Sequence, residues 1–364
     1  MTRRVPFVDL HLSEDADAVR DAIARVVDRA WFVLGPEVES FEREFAAACG
    51  TSHAVGVGNG TDALALILRA LDIGPGDEVV TTPLSAAYTA LAIVMAGARP
   101  VFADVDPDRL TLDPAAAERA ITGRTRALLP VHLYGQPADM PAFAALARRK
   151  NLALVEDCCQ AHLATCAGQP VGTFGAAGAF SFYPTKNLGA LGDGGAIVTR
   201  DAALAARVAR LRNGGQTERY HHVESGINSR LDEMQAAILR VRLPRLRSWT
   251  NQRRTLAAHY RSLLEGAQID VPPEIDPGHV YHLFPIRARH RAALQDRLRA
   301  EGIDTLVHYP IPISQQPAFA SMEPADCPHA IRAAGEVLSL PLYPGLAAEA
   351  VAAVADAVRK ESSS

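Results

Sequence analysis

The chain has 364 residues, 48% of them hydrophobic and 21% charged, a composition typical of a globular protein with one large domain or two smaller ones. Its formal charge of −4 gives no electrostatic reason to expect nucleic acid or an anionic membrane as a partner. Five cysteines without a C-x-x-C pair indicate neither a disulfide framework nor a zinc site, and no signal peptide or membrane span is recognisable, so we expect a cytoplasmic protein that acts on small molecules.

The first predicted elements are two amphipathic helices, one capped by Ser13-Glu14-Asp15 and one over 36–48. A strand over 53–58 then leads into a glycine-rich turn over 59–62 and a helix over 63–71. Backbone N–H groups at such a helix start favour an anion such as phosphate. The alternative is a tight strand-to-helix connection with Thr61 or Asp62 as N-cap. Because position 61 is threonine, the G-x-G-x-x-G dinucleotide fingerprint is absent, which argues against a nicotinamide dehydrogenase.

Apolar runs continue to alternate with helical patterns through the first 200 residues. The runs cover 79–82, 101–105, 127–131 and 152–157, and the helical patterns cover 87–97, 115–121 and 140–149. Apolar strands that alternate with helices indicate a mainly parallel sheet with both faces covered. In such a sheet the functional residues are expected beyond the carboxyl ends of the strands.

Two charged residues stand at such strand ends. Asp157 ends an apolar run, where it either caps the next helix or pairs with a buried protonated nitrogen. Lys186 follows the apolar run 177–183 and precedes a glycine-rich turn and a return strand over 194–199. Lysine is scarce, since 34 of the 37 basic residues are arginine. An amine, unlike a guanidinium, can lose its proton and form a Schiff base. We therefore expect Lys186 and Asp157 to face one pocket, whereas Lys150 and Lys360 look like ordinary surface charges.

The pattern changes after a helix over 202–212. Long helices over 231–264, interrupted at Pro244, lead to a strand over 281–287, a helix over 291–301, a strand near 305–308 and a final helix over 346–359. We predict a large domain over 1–245 and a smaller C-terminal α+β domain over 246–364. The adjacent His221 and His222 have no third ligand at a suitable spacing, so a polar loop is preferred to a metal site.

A lysine, a strand-end aspartate, a phosphate-binding turn and a serine before the lysine together resemble a pyridoxal phosphate site. Five segments in this order resemble the DegT-type (DegT/StrS) nucleotide-sugar aminotransferases, which are fold type I enzymes. The segments are Gly58-Asn59-Gly60-Thr61-Asp62-Ala63-Leu64, Val131-His132-Leu133-Tyr134-Gly135-Gln136-Pro137-Ala138-Asp139, Glu156-Asp157-x-x-Gln160-Ala161-His162, Ser181-Phe182-Tyr183-Pro184-Thr185-Lys186-Asn187 and Asn228-Ser229-Arg230-Leu231-Asp232-Glu233. The resemblance runs from about Val5 to the C-terminal helix. It implies an α/β large domain whose mainly parallel mixed sheet is flanked by helices, with a smaller C-terminal α+β domain.

The resemblance also implies roles for the matching residues. Lys186 would carry the cofactor and move the proton, and Asp157 would pair with its pyridine nitrogen. Gln160 would bind the ring's phenolic oxygen. The phosphate would be held by Gly60, Thr61 and Ser181, with Asn228 of the neighbouring subunit, so a homodimer would be the minimal functional unit. No metal is implied. The family commonly stacks an aromatic residue on the ring, and the first aromatic in the corresponding stretch is Tyr88.

Within the family, the His132 to Asp139 segment, Tyr183-Pro184 and the Gly-Asp-Gly-Gly run over 192–195 are similar to enzymes that aminate C-3 of a nucleotide-linked 3-keto-6-deoxyhexose. Enzymes that act at C-4 more often carry histidine near position 183 and glutamate near position 193. The resemblance thus implies L-glutamate as donor and a dTDP-linked acceptor. Gly214 or Gly215 where tyrosine is usual, and Ser314 where histidine is frequent, depart from the family and put the exact sugar or nucleotide in question.

Three alternatives can be weighed from the sequence. The first is amination of a C-4 keto sugar or of a UDP-linked 3-keto-N-acetylhexosamine, which would use the same cofactor residues. The second is a pyridoxal phosphate-binding regulatory protein without turnover, against which Lys186, Asp157 and Gln160 all argue. The third is a dehydratase, in which histidine replaces the lysine, and Lys186 argues against it.

Overall fold

The computed structural model describes residues 4–322 and 326–360. Over this part of the chain the helices are α1 Ala16–Arg29, α2 Pro36–Ala48, α3 Gly60–Ala70, α4 Tyr88–Met95, α5 Pro114–Ala120, α6 Met140–Lys150, α7 Ala202–Leu211, α8 Glu233–Arg242, α9 Leu246–Leu264, α10 Arg291–Ala300, α11 Pro328–Glu336 and α12 Ala348–Arg359. The strands are β1 His53–Val57, β2 Glu78–Thr81, β3 Arg99–Phe102, β4 Thr125–Leu129, β5 Ala153–Asp157, β6 Thr165–Cys166, β7 Gln169–Pro170, β8 Ala177–Ser181, β9 Gly195–Thr199, β10 Gln216–Glu218, β11 His221–His222, β12 Phe284–Arg287 and β13 Val337–Leu340.

A seven-stranded sheet forms the centre of the large, N-terminal part of the molecule. Its strand order is β1-β9-β8-β5-β4-β2-β3. β9 pairs antiparallel with both β1 and β8, and every other neighbouring pair is parallel. The mainly parallel mixed sheet expected from the alternating pattern is therefore confirmed, as is the antiparallel return strand after Lys186.

Both faces of this sheet are buried. In β2, Val79 packs into a core with α3 and α4, whereas the next residue, Val80, packs into a core with α5 and α6. Ala127 and Leu128 of β4 divide between the same two cores. Successive side chains of a strand point to opposite faces, so apolar residues at both positions require helices on both sides of the sheet. This explains why these strands are continuous apolar runs in the sequence.

The C-terminal elements enclose a core of their own. Residues of α9, α10 and α12 pack around the antiparallel pair β12 and β13, in which Phe284 lies opposite Leu340. Val5 also belongs to this core, and its backbone pairs with Ile303. The domain boundary at residue 245 coincides with the short 3-10 helix Leu243–Arg245 that separates α8 from α9, and remains a prediction.

The structure corrects several of the predicted C-terminal elements. Residues 305–308 do not form a strand; Leu306 makes only an isolated bridge to Ser339. The strand expected over 281–287 begins at Phe284, and α11 and β13 were not expected. His221 and His222 form an exposed two-residue strand rather than a loop. The polar tail expected after Lys360 lies outside the described residues.

A buried carboxylate joins α8 to α2. Glu233 accepts the backbone N–H groups of Gly35, Glu37 and Val38 at 2.8 to 2.9 Å. These donors lie at the start of α2, where N–H groups lack partners within the helix and favour negative charge. Within the described residues, no helix combines the length and apolar character needed to cross a bilayer.

Candidate active site

Three strands end at one edge of the sheet, and each continues into a residue expected in the site. β5 ends at Asp157, and β8, which runs parallel beside it, ends at Ser181 and leads to Lys186. β1 runs in the same direction as β8, because both are antiparallel to β9, and it leads to Gly60. The sheet topology thus brings the lysine, the aspartate and the glycine turn to the same edge.

Lys186 sits in a tight turn after β8. Its backbone N–H donates to the Tyr183 carbonyl at 2.9 Å. A Cβ on Gly189 would lie 2.4 Å from the Pro184 oxygen, so this turn closes only with glycine at that position. The Lys186 side chain is half-buried. Burial lowers its pKa, and the nearby Cys159 and Asp157 oppose this effect only in part. The amine is therefore easier to deprotonate than an ordinary lysine.

Asp157 is buried, with 4% of its surface exposed. Its Oδ2 accepts the Thr89 hydroxyl at 2.8 Å, and its Oδ1 accepts the Cys159 N–H at 3.1 Å. Residues 158–164 form turns rather than a helix, so the helix-capping interpretation of Asp157 is wrong. The two donors fix the carboxylate while leaving lone pairs on both oxygens for a third partner.

The turn before α3 is shaped by Gly60. Asn59, rather than Thr61 or Asp62, is the N-cap, and its Oδ1 accepts the Asp62 N–H at 2.8 Å. A Cβ on Gly60 would lie 2.7 Å from Cys159 Sγ and 2.9 Å from Ser181 Cβ. The absence of a side chain therefore lets the start of α3 approach the ends of β5 and β8. The free N–H groups at that start, together with the half-buried Ser181, suit an anion.

Gln160 is fixed by two hydrogen bonds. Its Oε1 accepts the Tyr134 N–H at 2.7 Å, which leaves its amide nitrogen Nε2 to donate to the Tyr309 hydroxyl at 3.1 Å. Tyr88, the first residue of α4, lies next to Thr89 at the edge of the pocket and is 64% exposed. Stacking of Tyr88 on a bound ring remains a prediction.

Asn228 stands apart from this group in a single chain. It is exposed, and its backbone pairs with Asn213. The next residue, Ser229, donates to Asp62 Oδ2 at 2.6 Å and accepts the Gly58 N–H at 2.9 Å. The Asn228 side chain is thus accessible to another molecule, and its role at a neighbouring subunit's site remains a prediction.

Several residues near Lys186 received no role from the sequence. His162, His282 and His308 are close enough for the lysine charge to affect them. Burial is the larger effect; it lowers the pKa of His162 to about 3 and of His308 to about 4, and it lowers the pKa of His282 strongly. All three imidazoles are therefore neutral near pH 7. Thr89, a polar residue in an otherwise apolar helix, offered a sequence signal that was missed.

Three buried side chains, His132, Glu156 and Cys158, are of types that bind metals, and their ligand atoms lie within 4.8 Å of one another. His132 Nδ1 accepts the Ala138 N–H at 3.0 Å, so its Nε2 carries the proton and faces Glu156 Oε2 at 3.2 Å. Glu156 also accepts three backbone N–H groups of segment 172–175. Hydrogen bonds within the protein thus satisfy both the Glu156 carboxylate and the His132 imidazole, so we assign these residues a structural role.

The residues present fit pyridoxal phosphate. Lys186 supplies a desolvated amine, and Asp157 supplies a fixed buried carboxylate with free lone pairs. The close approach at Gly60, where a Cβ would overlap Cys159 and Ser181, brings the N–H groups at the start of α3 to the ends of β5 and β8, where they suit a phosphate group. The Gln160 amide nitrogen donates one N–H to Tyr309 and retains a second N–H for another acceptor. This set matches the aldehyde, the pyridine nitrogen, the phosphate and the ring oxygen of the cofactor.

Comparisons with known proteins give a consistent result. The model of the DegT/DnrJ/EryC1/StrS aminotransferase family matches residues 13–359. The chain is 52% identical to the dTDP-3-amino-3,4,6-trideoxy-α-D-glucose transaminase of Streptomyces venezuelae, over 99% of this chain and 96% of that protein. It is 46% identical to the UDP-N-acetyl-3-dehydro-α-D-glucosamine 3-aminotransferase of Acidithiobacillus ferrooxidans, over 98% and 97% respectively. The structure of S. venezuelae DesV in complex with a ketimine intermediate matches with a TM-score of 0.96 at 50% identity, over 100% of both chains.

Proposed function

The chain belongs to the DegT/DnrJ/EryC1/StrS aminotransferase family, and from this premise we propose that it uses pyridoxal phosphate to move an amino group from L-glutamate to C-3 of a dTDP-linked 3-keto-6-deoxyhexose. The observation that carries the proposal is the meeting of Lys186 and Asp157 at the carboxyl ends of adjacent strands. The 52% identity to a dTDP-3-amino sugar transaminase supports the sugar class. A cytoplasmic location is also proposed, which the five free cysteines support.

When bound, pyridoxal phosphate supplies an aldehyde that condenses with amines and a protonated ring that accepts electrons from the reacting carbon. Lys186 would hold it through Nζ in the resting enzyme. Once released, the Lys186 amine takes the proton from the carbon that bears the donor's amino group. In the second half-reaction it delivers a proton to C-3 of the sugar. A lysine whose pKa is lowered by burial suits both steps, because it gives up its proton more readily than an exposed lysine does.

Other residues would bind and orient the cofactor. Asp157 holds the positive charge of the pyridine nitrogen, and Thr89 with the Cys159 N–H keeps its carboxylate in place. The N–H groups at the start of α3 and the Ser181 hydroxyl bind the phosphate. A buried carboxylate that faces a cation in a water-poor site stabilises that charge more than an exposed one does.

A glycine-to-alanine substitution tests the phosphate site. In Gly60→Ala, the new methyl group would overlap Cys159 and Ser181, so α3 must retreat from the sheet edge. We expect the dissociation constant for pyridoxal phosphate to rise at least roughly 10-fold, which corresponds to the loss of one hydrogen bond to a charged group. Gly123→Ala is the matched control, because a Cβ there meets nothing within 4 Å. Equal cofactor affinity in Gly60→Ala and wild type would place the phosphate elsewhere.

We further propose that the enzyme is a homodimer in which Asn228 of the partner subunit completes each phosphate site. The exposure of Asn228 supports this arrangement. So do the exposed apolar side chains Trp31, Phe32 and Leu191, which a second subunit would cover.

Subunit mixing tests this shared site. Lys186→Ala and Asn228→Ala homodimers are each expected to be inactive or strongly impaired. After denaturation and refolding of an equal mixture, half of the dimers are mixed, and each mixed dimer has one site with both residues intact. Activity should therefore recover to about a quarter of the wild-type value. No recovery, despite mixed dimers demonstrated by mass spectrometry, would mean that Asn228 acts within its own chain.

The sugar class is tested in the reverse direction, since amino sugars are more stable than keto sugars. The enzyme is incubated with 2-oxoglutarate and a panel containing dTDP-3-amino, dTDP-4-amino and UDP-linked 3-amino sugars, and glutamate formation is measured. Turnover of the dTDP-3-amino sugar alone supports the proposal. Preference for a UDP-linked sugar would favour the second candidate, which the 46% identity to a UDP-sugar 3-aminotransferase supports. Preference for a 4-amino sugar would contradict both.

A further inference from the structure

Tyr309 reaches the site from the C-terminal part of the chain, and neither the sequence motifs nor the reaction above assigns it a role. Its hydroxyl accepts a hydrogen bond from Gln160 Nε2 at 3.1 Å. The orientation of the Gln160 amide is fixed by the Tyr134 N–H, which binds Oε1 at 2.7 Å. The Tyr309 oxygen therefore accepts from Gln160, and the Tyr309 hydroxyl proton can be donated to another acceptor.

The segment that carries Tyr309 is anchored on two sides. The Tyr134 hydroxyl donates to the His308 carbonyl. Leu306 exchanges two backbone hydrogen bonds with Ser339 of β13, and His308 Nδ1 lies 3.0 Å from the Ser339 hydroxyl. These contacts place the phenol in a fixed position against the large domain, as a preorganised donor requires.

The position of the phenol points to its acceptor. Burial, and then the nearby Asp157, Cys159 and Tyr88, raise the pKa of Tyr309 to about 12, while the bond from Gln160 opposes them. The hydroxyl thus stays protonated and lies among the residues that would surround the cofactor ring. Asp157 is committed to the pyridine nitrogen and the start of α3 to the phosphate. The atom left for two converging donors, Gln160 and Tyr309, is the ring oxygen, which is the other negatively charged atom of the cofactor.

We propose that the Tyr309 hydroxyl, oriented by Gln160, donates a hydrogen bond to the phenolic oxygen of pyridoxal phosphate and thereby sets the pH at which the proton shared by that oxygen and Lys186 is lost. This inference rests on the proposed function. At low pH the proton neutralises the oxygen, and at high pH the oxygen carries its full negative charge. A donor stabilises the high-pH form more, so it lowers the midpoint of the titration.

Five titratable groups around this proton have pKa values that are shifted away from neutral pH. Burial lowers the pKa values of His162, His282 and His308, so these imidazoles are neutral near pH 7. Burial raises the pKa of Cys159 well above its ordinary value. Tyr309 remains protonated, with its pKa raised to about 12. A spectroscopic titration between pH 5 and 10 therefore reports the shared proton.

The test is an absorbance titration of the cofactor bound to wild type, to Tyr309→Phe and to Tyr134→Phe, without substrate. Tyr309→Phe should raise the pH midpoint by roughly one unit, the size of one hydrogen bond to a charged group. Tyr134→Phe is the matched control, because it removes a hydroxyl that anchors the same segment but donates to a backbone carbonyl. Its midpoint should rise much less than that of Tyr309→Phe, because the bonds from Leu306 and His308 to Ser339 still hold the segment.

Three results would overturn the inference. An unchanged midpoint in Tyr309→Phe, with cofactor bound as in wild type, would show that the phenol does not contact the ring oxygen. An equal rise in Tyr134→Phe would assign the effect to the position of the segment. Failure of the wild-type enzyme to bind pyridoxal phosphate would overturn the proposed function itself, and this is seen before any variant is compared.

Discussion

Replacing Lys186 by alanine is expected to lower turnover in both half-reactions by at least about 10⁴-fold, the upper range for removal of a positioned acid–base group. Lys186 would both hold the cofactor and move the proton, and neither of the other two lysines can replace it. Lys150 lies at the end of α6 and pairs with Glu118, and Lys360 follows α12 and pairs with Glu301. Turnover is measured as glutamate consumption and as amino sugar formation.

Two further variants sharpen this test. Lys186→Arg retains the positive charge but cannot form a Schiff base, so it should be as inactive as Lys186→Ala. Lys150→Ala removes a surface amine that lies 3.0 Å from Glu118 and should retain wild-type activity. Borohydride reduction of the wild-type holoenzyme should attach the cofactor to the peptide that contains Lys186. Near-normal turnover in Lys186→Arg would refute the assignment of this residue.

Asp157→Asn is expected to lower turnover by roughly 10²-fold to 10⁴-fold while the protein still folds. The substitution keeps the size of the side chain, and the asparagine oxygen can still accept the Cys159 N–H, while its amide nitrogen would donate to the Thr89 hydroxyl oxygen instead of accepting from it. It removes the negative charge that favours a protonated pyridine nitrogen, so the ring accepts electrons less readily. Thr89→Val, which removes only the 2.8 Å bond that orients the carboxylate, should have a smaller effect in the same direction.

Asp139→Asn is the control for this substitution. Asp139 caps α6 through its Oδ1, which accepts the Ala142 N–H at 3.1 Å, and asparagine caps a helix about as well. This variant should match wild type in turnover and thermal stability. Should Asp157→Asn retain full turnover, the carboxylate does not act on the cofactor and the orientation of the ring in the site must be different.

The central sheet was predictable because its strands are apolar on both faces. Runs such as 79–82 and 127–131 stand out between helical patterns, and parallel strands with short connections place their carboxyl ends together. The convergence of Asp157 and Lys186 followed from this topology alone. The C-terminal region was harder to predict, since Leu306 pairs with Ser339 through a single bridge and not through a strand. That contact depends on Ser339 of β13, which lies 33 residues further along the chain.

The detailed contacts of the site could not be predicted from local patterns. Asn59 became the N-cap of α3 because its Oδ1 reaches the Asp62 N–H, a choice between neighbouring polar residues that the sequence leaves open. Thr89 and Tyr309 join Asp157 and Gln160 only through tertiary packing, across 68 and 149 residues of chain respectively. Asn228 is exposed in the single chain, and its proposed contact is with a second subunit. Sequence patterns within one chain do not predict such a contact.

The central claim is that Lys186 holds pyridoxal phosphate and that the cofactor takes up the amino group of L-glutamate. It is tested most directly by absorbance spectra of the purified holoenzyme before and after addition of L-glutamate. The account predicts that the band of the lysine-bound cofactor disappears while the band of pyridoxamine phosphate grows, with formation of 2-oxoglutarate. A spectrum that stays unchanged with glutamate, although the cofactor is bound, would contradict the donor and favour a different amine or a regulatory role. A protein that does not take up pyridoxal phosphate at all would contradict the role assigned to Lys186.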